Sequence, residues 1–147
     1  MSADHTKQIP YVHGETKAYW NGARQHELWI QRCRACSVHY FYPRDFCPSC
    51  FSFDVEWTKA CGRGTVYSYT VCLRPAPGFE KDVPYNIALV ELAEGVRMMS
   101  TVVDCPPDDL KIGMLVEVVF EDVSQDVTLP KFKPAGNPLP LPRQDER

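Results

Sequence analysis

Apolar positions in this 147-residue chain come in short runs separated by glycine, proline and charge, and most of the runs have the length of strands. Between Thr16 and His26, Ala18, Tyr19, Trp20 and Ala23 are spaced as the packing face of a short helix, weakened at its centre by Gly22. Residues 1–13 ahead of it read as a flexible arm. Leu28 to Arg32 and Val38 to Tyr42 predict two strands, the second stopped by Pro43, and Phe53 to Trp57 predicts a third.

After Cys61 the pattern changes. Gly62-Arg63-Gly64 is a turn or bulge signal, and Thr65 to Leu73 is a long run of β-branched and aromatic residues. Asn86 to Leu92 and Val96 to Val103 are joined by Ala93-Glu94-Gly95 as a hairpin. Pro106 to Leu110 predicts a helical turn, Met114 to Phe120 the last clear strand, and Val127 to Leu129 a short edge. Five such strands with one longer loop suit a small closed barrel. The resulting expectation is a mainly β chain: arm and helix over 1–27, a metal-binding ribbon over 28–60, a small closed five-stranded barrel over 61–127, and an extended Pro-rich tail over 128–147. From Thr128 to Gln144 that tail has five prolines, no acid, and Lys131, Lys133 and Arg143, with Leu129, Phe132, Leu139 and Leu141 as apolar anchors. It reads as a polyproline-like docking strap for a partner or a phosphate-bearing ligand.

The ribbon is marked by Cys33-x-x-Cys36 and Cys47-Pro48-Ser49-Cys50, with ten residues between the pairs. Two thiolates two residues apart grip one ion from a tight turn, and two such turns close a tetrahedral site with no position open to substrate. Structural Zn2+ is therefore expected on Cys33, Cys36, Cys47 and Cys50, a thiolate set that also suits iron. Cys61, Cys72 and Cys105 remain as free thiols. Free thiols, a start without signal-peptide pattern and the lack of any long apolar run predict a cytoplasmic protein that does not enter a membrane.

Net charge is −3, with +2 on residues 1–50 and −5 on residues 51–147. A nucleic-acid binder normally presents a basic face, so the acidic barrel argues against that class. No catalytic set can be read around His5, His13, His26 or His39, and the three spare cysteines read as buried or incidental thiols, Cys72 within a strand and Cys105 just ahead of Pro106-Pro107. The loop Arg74 to Pro84 is better suited to binding. Phe79 could stack on an adenine while Arg74 or Lys81 meets phosphate, and Lys131 and Lys133 around Phe132 offer the same chemistry.

These motifs carry a resemblance. The aromatic pair Tyr19-Trp20, the two knuckles with Pro43-Arg44 between them, Gly64-Thr65-Val66-Tyr67-Ser68, Pro84-Tyr85-Asn86-Ile87-Ala88-Leu89-Val90-Glu91-Leu92 and Gly113-x-x-Val116 resemble the small zinc-ribbon/OB-fold proteins found beside thiolases and other acyl-CoA enzymes. The likeness runs from about Tyr19 to Pro134. It implies a rubredoxin-like ribbon followed by a five-stranded OB-fold barrel, in a non-catalytic subunit of a hetero-oligomer partnered by a thiolase-like, aldolase-like or hydratase-like chain. It also implies a coenzyme A thioester as the ligand shared by the complex. The layout is most similar to the small subunit of a two-component thiolase, such as a benzoylsuccinyl-CoA thiolase. One departure stands out: rubredoxin-like knuckles often carry glycine after the second cysteine, where this chain has Ser37 and Phe51. That predicts less regular knuckles and weighs more against iron redox chemistry than against zinc. Other classes remain open: a stand-alone single-stranded nucleic-acid-binding module and a rubredoxin-like electron carrier.

Overall fold

The computed structural model describes residues 7–136. A 3-10 turn at Gly14–Thr16 runs into helix α1 (Lys17–Arg24), which buries Tyr19, Gly22 and Ala23. The helix survives its glycine because that residue faces Trp29: a Cβ built on Gly22 would lie 2.1 Å from Trp29 Cδ1. The helix also ends sooner than its apolar spacing predicts, as His26 takes a left-handed backbone with φ 59°.

Strands β1 (Trp29–Cys33), β2 (His39–Tyr40) and β3 (Val55–Lys59) form an antiparallel sheet in the order β2-β1-β3. The second strand is shorter than expected, two residues in place of five. The barrel comprises β4 (Arg63–Cys72), β5 (Tyr85–Leu92), β6 (Arg97–Ser100), β7 (Leu115–Asp122) and β8 (Thr128–Pro134) in the order β6-β5-β4-β7-β8. Its bulge lies between Val66 and Ser68 of β4, beyond the Gly62-Arg63-Gly64 signal, and the extra residue there lets the long strand twist and curl. The sheet closes where residues 101–103 meet β8: Phe132 donates its N–H to the Thr101 carbonyl at 3.0 Å and accepts from the Val103 N–H at 2.7 Å. Asn86 pins that seam, donating to the Val102 carbonyl and accepting from the Val102 N–H, both at 2.8 Å.

The first part of the expected tail is thus a strand. Residues 128–134 pair with β7 along its whole length, from Thr128 opposite Asp122 to Pro134 opposite Val116. Two prolines fit there because of the two-residue period of a strand. The Phe132 N–H points away from β7 toward residue 101, and positions 130 and 134 share its side, so Pro130 and Pro134 remove no bond to β7. The remainder of the Pro-rich segment, with Leu139, Leu141 and Arg143, lies outside the described residues.

One apolar core runs through both sheets. Leu28 and Ile30 of the ribbon pack in the same cluster as Val66, Val90, Met98, Val116 and Phe132 of the barrel. Full burial of each such side chain contributes about 1.5–3 kcal/mol. At the far side, His26 Nε2 lies 3.3 Å from Asp122 Oδ1 with its ring stacked on Phe120, tying the end of the helix to β7. Among the described residues no helix is long and apolar enough to cross a membrane.

Candidate metal centre and neighbouring groove

The two cysteine pairs meet. Their four sulfurs all lie within 4.8 Å of one another. Cys33 and Cys50 are 3.6 Å apart across the pairs, as are Cys36 and Cys47. A tetrahedral zinc with Zn–S bonds of about 2.3 Å needs sulfurs about 3.8 Å apart, so the donor set fits that ion.

Each knuckle is built by the same backbone bonds. Ser37 N–H donates to the Cys33 carbonyl and Phe51 N–H to the Cys47 carbonyl, both at 2.9 Å. Cys33 N–H donates to the Val38 carbonyl and Cys47 N–H to the Ser52 carbonyl, again at 2.9 Å. Ser37 and Phe51 adopt the left-handed backbone that glycine would supply, with φ 65° and 62°. The missing glycines therefore leave the knuckles regular, at a conformational cost. N–H donors still reach sulfur, from Cys36 to Cys33 at 3.5 Å and from Ser49 to Cys47 at 3.3 Å.

The second knuckle is held in place by Gln31 of β1. Its amide donates to the Arg44 carbonyl at 2.9 Å and accepts from the Arg44 N–H at 2.8 Å. Tyr40 donates to the same carbonyl. Burial, then the neighbouring Cys47 and Cys33 thiolates, push the Tyr40 phenol up to about 12, so it stays a donor. Sequence reasoning passed over Gln31; its signal was a polar residue at a buried strand position.

Among the sulfurs themselves negative charge is unevenly held. The Cys50 and Ser49 N–H groups favour the Cys47 thiolate and lower its pKa to about 6, against the opposing effect of burial. Cys50 receives help from the Ser52 N–H, yet lost hydration and the neighbouring sulfurs raise it to about 12. A dication reverses that repulsion by taking all four as thiolates.

The other residues singled out in the sequence are scattered. Arg74 and Lys81 are exposed on the loop before β5. Phe79 leans on Tyr85, ring centroids 5.2 Å apart, with Lys7 Nζ 4.9 Å above its own centroid. Lys131 is paired with Glu121, and Lys133 Nζ is 3.4 Å from Glu117. Phe132 has no exposed surface at all, so the expected stacking role is corrected: its ring belongs to the core. A groove of about 780 Å3 brings Phe79 and Lys131 together on the outside of the barrel, without Arg74, Lys81 or Lys133.

Comparison with known proteins follows this architecture. The model of the ChsH2 rubredoxin-like zinc ribbon domain matches residues 20–56, and that of the ChsH2 C-terminal OB-fold domain matches residues 57–121. A probable enoyl-CoA hydratase alpha subunit of Thermomonospora curvata is 41% identical over 127 residues, which are 86% of this chain and 39% of that longer protein. The solved structure of the Ltp2-ChsH2(DUF35) aldolase has a chain 40% identical to this one, with TM-score 0.77, covering 86% of this chain and 98% of that one. A DUF35 domain-containing scaffold protein of Methanocaldococcus jannaschii is 42% identical over 113 residues, 72% of this chain and 80% of the archaeal one. With ribbon and barrel matched in order and a relative of similar length aligned over most of its sequence, this chain belongs to the DUF35 family of ChsH2-type zinc-ribbon and OB-fold proteins.

Proposed function

We propose that this chain is a zinc-binding, non-catalytic accessory subunit of a cytoplasmic acyl-CoA enzyme complex. The observation that carries the reading is its likeness, at 40% identity over 98% of the solved chain, to a component of an aldolase complex. The relative whose name is hydratase alpha subunit points to the same kind of assembly, although this chain spans about two fifths of its length. The catalytic partner is a thiolase-like, aldolase-like or hydratase-like chain, and the resemblance read from the motifs favours the thiolase-type acyltransferase. The partner supplies nucleophile, acid and base; this chain orders the partner's site.

Zinc, when bound, holds four thiolates, offers no position to substrate and contributes folding energy to the ribbon. The residues that do the positioning lie elsewhere. Arg74, Phe79 and Lys81 on the loop before β5 are the proposed contacts with the partner or with its coenzyme A thioester, and Lys131 stands at the groove rim.

The test is affinity purification of the full-length chain from its native cells, with co-purifying proteins identified by mass spectrometry and assayed for thioester turnover. A stoichiometric acyl-CoA acyltransferase, aldolase or hydratase whose turnover depends on this chain is expected. A chain that purifies alone, or with nucleic acid released by salt, overturns the reading.

A further inference from the structure

Tyr19 carries a hydroxyl where the core needs only a ring. The ring packs edge to face against Trp20 and Phe41, centroids 4.9 and 5.5 Å apart, and the residue keeps 7% of its surface in solvent. Among the described residues nothing accepts a hydrogen bond from the phenol, and burial alone raises its pKa, so it stays an O–H donor. Phenylalanine would pack the same ring without the cost of desolvating an unmatched hydroxyl. The oxygen is nevertheless not sealed in: among the described residues, no fully buried side-chain oxygen or nitrogen lacks a partner, so this one keeps contact with open space. The open space that Tyr19 lines is the groove outside the barrel.

That groove is walled by Trp20, Phe79, Ile87 and Met99, with residues 7–10 forming one side. Its other inner polar side chains are spent within the fold. Asn86 bonds both backbone groups of Val102, the Thr101 hydroxyl donates to the Asn86 carbonyl at 2.8 Å, and the Ser100 hydroxyl donates to the Pro130 carbonyl at 3.0 Å. Around the groove two lysines stand against three carboxylates, and both lysines are paired, Lys7 with Asp82 and Lys131 with Glu121. An anionic ligand is therefore disfavoured. What the groove offers is apolar surface and one unspent donor.

We propose that this groove binds a neutral organic molecule carrying a carbonyl oxygen on an apolar body, and that Tyr19 donates the hydrogen bond that selects it. A ligand with an acceptor satisfies the phenol, whereas a hydrocarbon of the same shape leaves it unpaired. At about 780 Å3 the groove has the size of a small-molecule site, within the usual range of roughly 300–1,000 Å3. Apolar walls with a single placed polar group are the usual composition of such a site. The inference is independent of which enzyme the chain assists.

Prodan, a neutral naphthyl ketone whose emission moves to the red when its carbonyl accepts a hydrogen bond, tests this on the full-length protein. Saturable binding with red-shifted emission is expected for the wild type. Tyr19→Phe should weaken binding about two- to tenfold, the range one neutral hydrogen bond supplies, and move the bound emission to the blue. Its melting temperature should not fall, because the hydroxyl makes no bond within the fold. Dimethylaminonaphthalene, which lacks the carbonyl, should bind both proteins alike. Met99→Glu, a change at an exposed wall position, should abolish prodan binding. Absence of saturable binding by the wild type, or equal prodan affinity and emission in wild type and Tyr19→Phe, would overturn the proposal. Binding indifferent to Met99→Glu would overturn the groove as the site, and a lowered melting temperature in Tyr19→Phe would show that the fold itself uses the hydroxyl.

Discussion

Ser37 and Phe51 stand at equivalent places in the two knuckles, each with a left-handed backbone and each donating its N–H to the carbonyl of the first cysteine of its pair. The turn around a metal demands that conformation whether or not glycine is present to adopt it freely. An L-residue there costs about 1–2 kcal/mol, while glycine gives back about 0.5–1 kcal/mol through its greater freedom in the unfolded chain. Phe51 is 70% exposed and gains little burial in exchange. Phe51→Gly should therefore stabilise the metal-loaded protein by about 0.5–1 kcal/mol in denaturant unfolding, with unchanged metal content. The Phe51 ring stacks on Phe46 with centroids 6.3 Å apart, and a loss of more than about 1 kcal/mol would mean that this contact outweighs the backbone strain.

Cys47 is buried at the heart of the same cluster, in contact with Cys36. Cys47→Ser leaves three thiolates, and because metal binding in such modules is folding energy, the ribbon should lose both metal and structure. Metal analysis should show about one zinc per wild-type chain, the count a closed four-thiolate site implies, and little in the variant. Limited proteolysis should then cut between residues 34 and 56. A variant that stays metal-free and resistant would refute the structural role.

Gly22 reverses the usual helix rule. In an exposed helix interior, glycine to alanine is favourable by about 1 kcal/mol. Here the added Cβ would fall 2.1 Å from the Trp29 ring, whose N–H is committed to Glu27 at 2.9 Å. Overpacking of this kind costs about 1–3 kcal/mol, so Gly22→Ala should lower the melting temperature by several degrees. A raised melting temperature would show that α1 has room to move off β1.

Phe132 separates a core role from a binding role. As a fully buried ring, Phe132→Ala should cost about 3–5 kcal/mol of stability. Lys133→Ala, on the exposed side of the same strand, should change stability by less than about 0.5 kcal/mol. Equal stabilities with a selective loss of ligand binding in Phe132→Ala would restore the ring to a site.

Asp122 predicts a pH dependence. The Thr128 hydroxyl at 2.6 Å, and then His26 at 3.3 Å, hold its carboxyl below the ordinary carboxylate range. A depressed folded pKa adds stability above the unfolded value of about 3.9 and loses it as pH falls through the folded value. The stability gap between wild type and Asp122→Asn should thus be present at neutral pH and close in acid. Taking the difference between the two proteins cancels the acid release of metal from the thiolates. A gap that widens as pH falls below about 4 would contradict the assigned direction.

The metal site was legible because its information is local: a C-x-x-C turn needs only neighbouring residues to place two sulfurs. Most strands were legible for a similar reason, since β-branched and aromatic runs such as Thr65 to Leu73 fit a pleated surface whatever they pair with. What remained hidden depends on residues far apart in the chain. Phe132 read as a ligand contact because its flanking lysines and prolines look like those of a tail; only pairing with β7 and with residues 101–103 turns those prolines to the harmless side and the ring inward. Gly22 read as a flaw in a helix until Trp29 was set against it. Asn86 and Gln31 showed in the sequence only as polar residues within strands; that they fasten the barrel seam and the second knuckle depends on partners distant in the chain. Sequence alone determined the chemistry of four thiolates and the β character of the chain. Tertiary structure decided which polar and aromatic side chains face water, because burial and register are set by partners that adjacent residues do not specify.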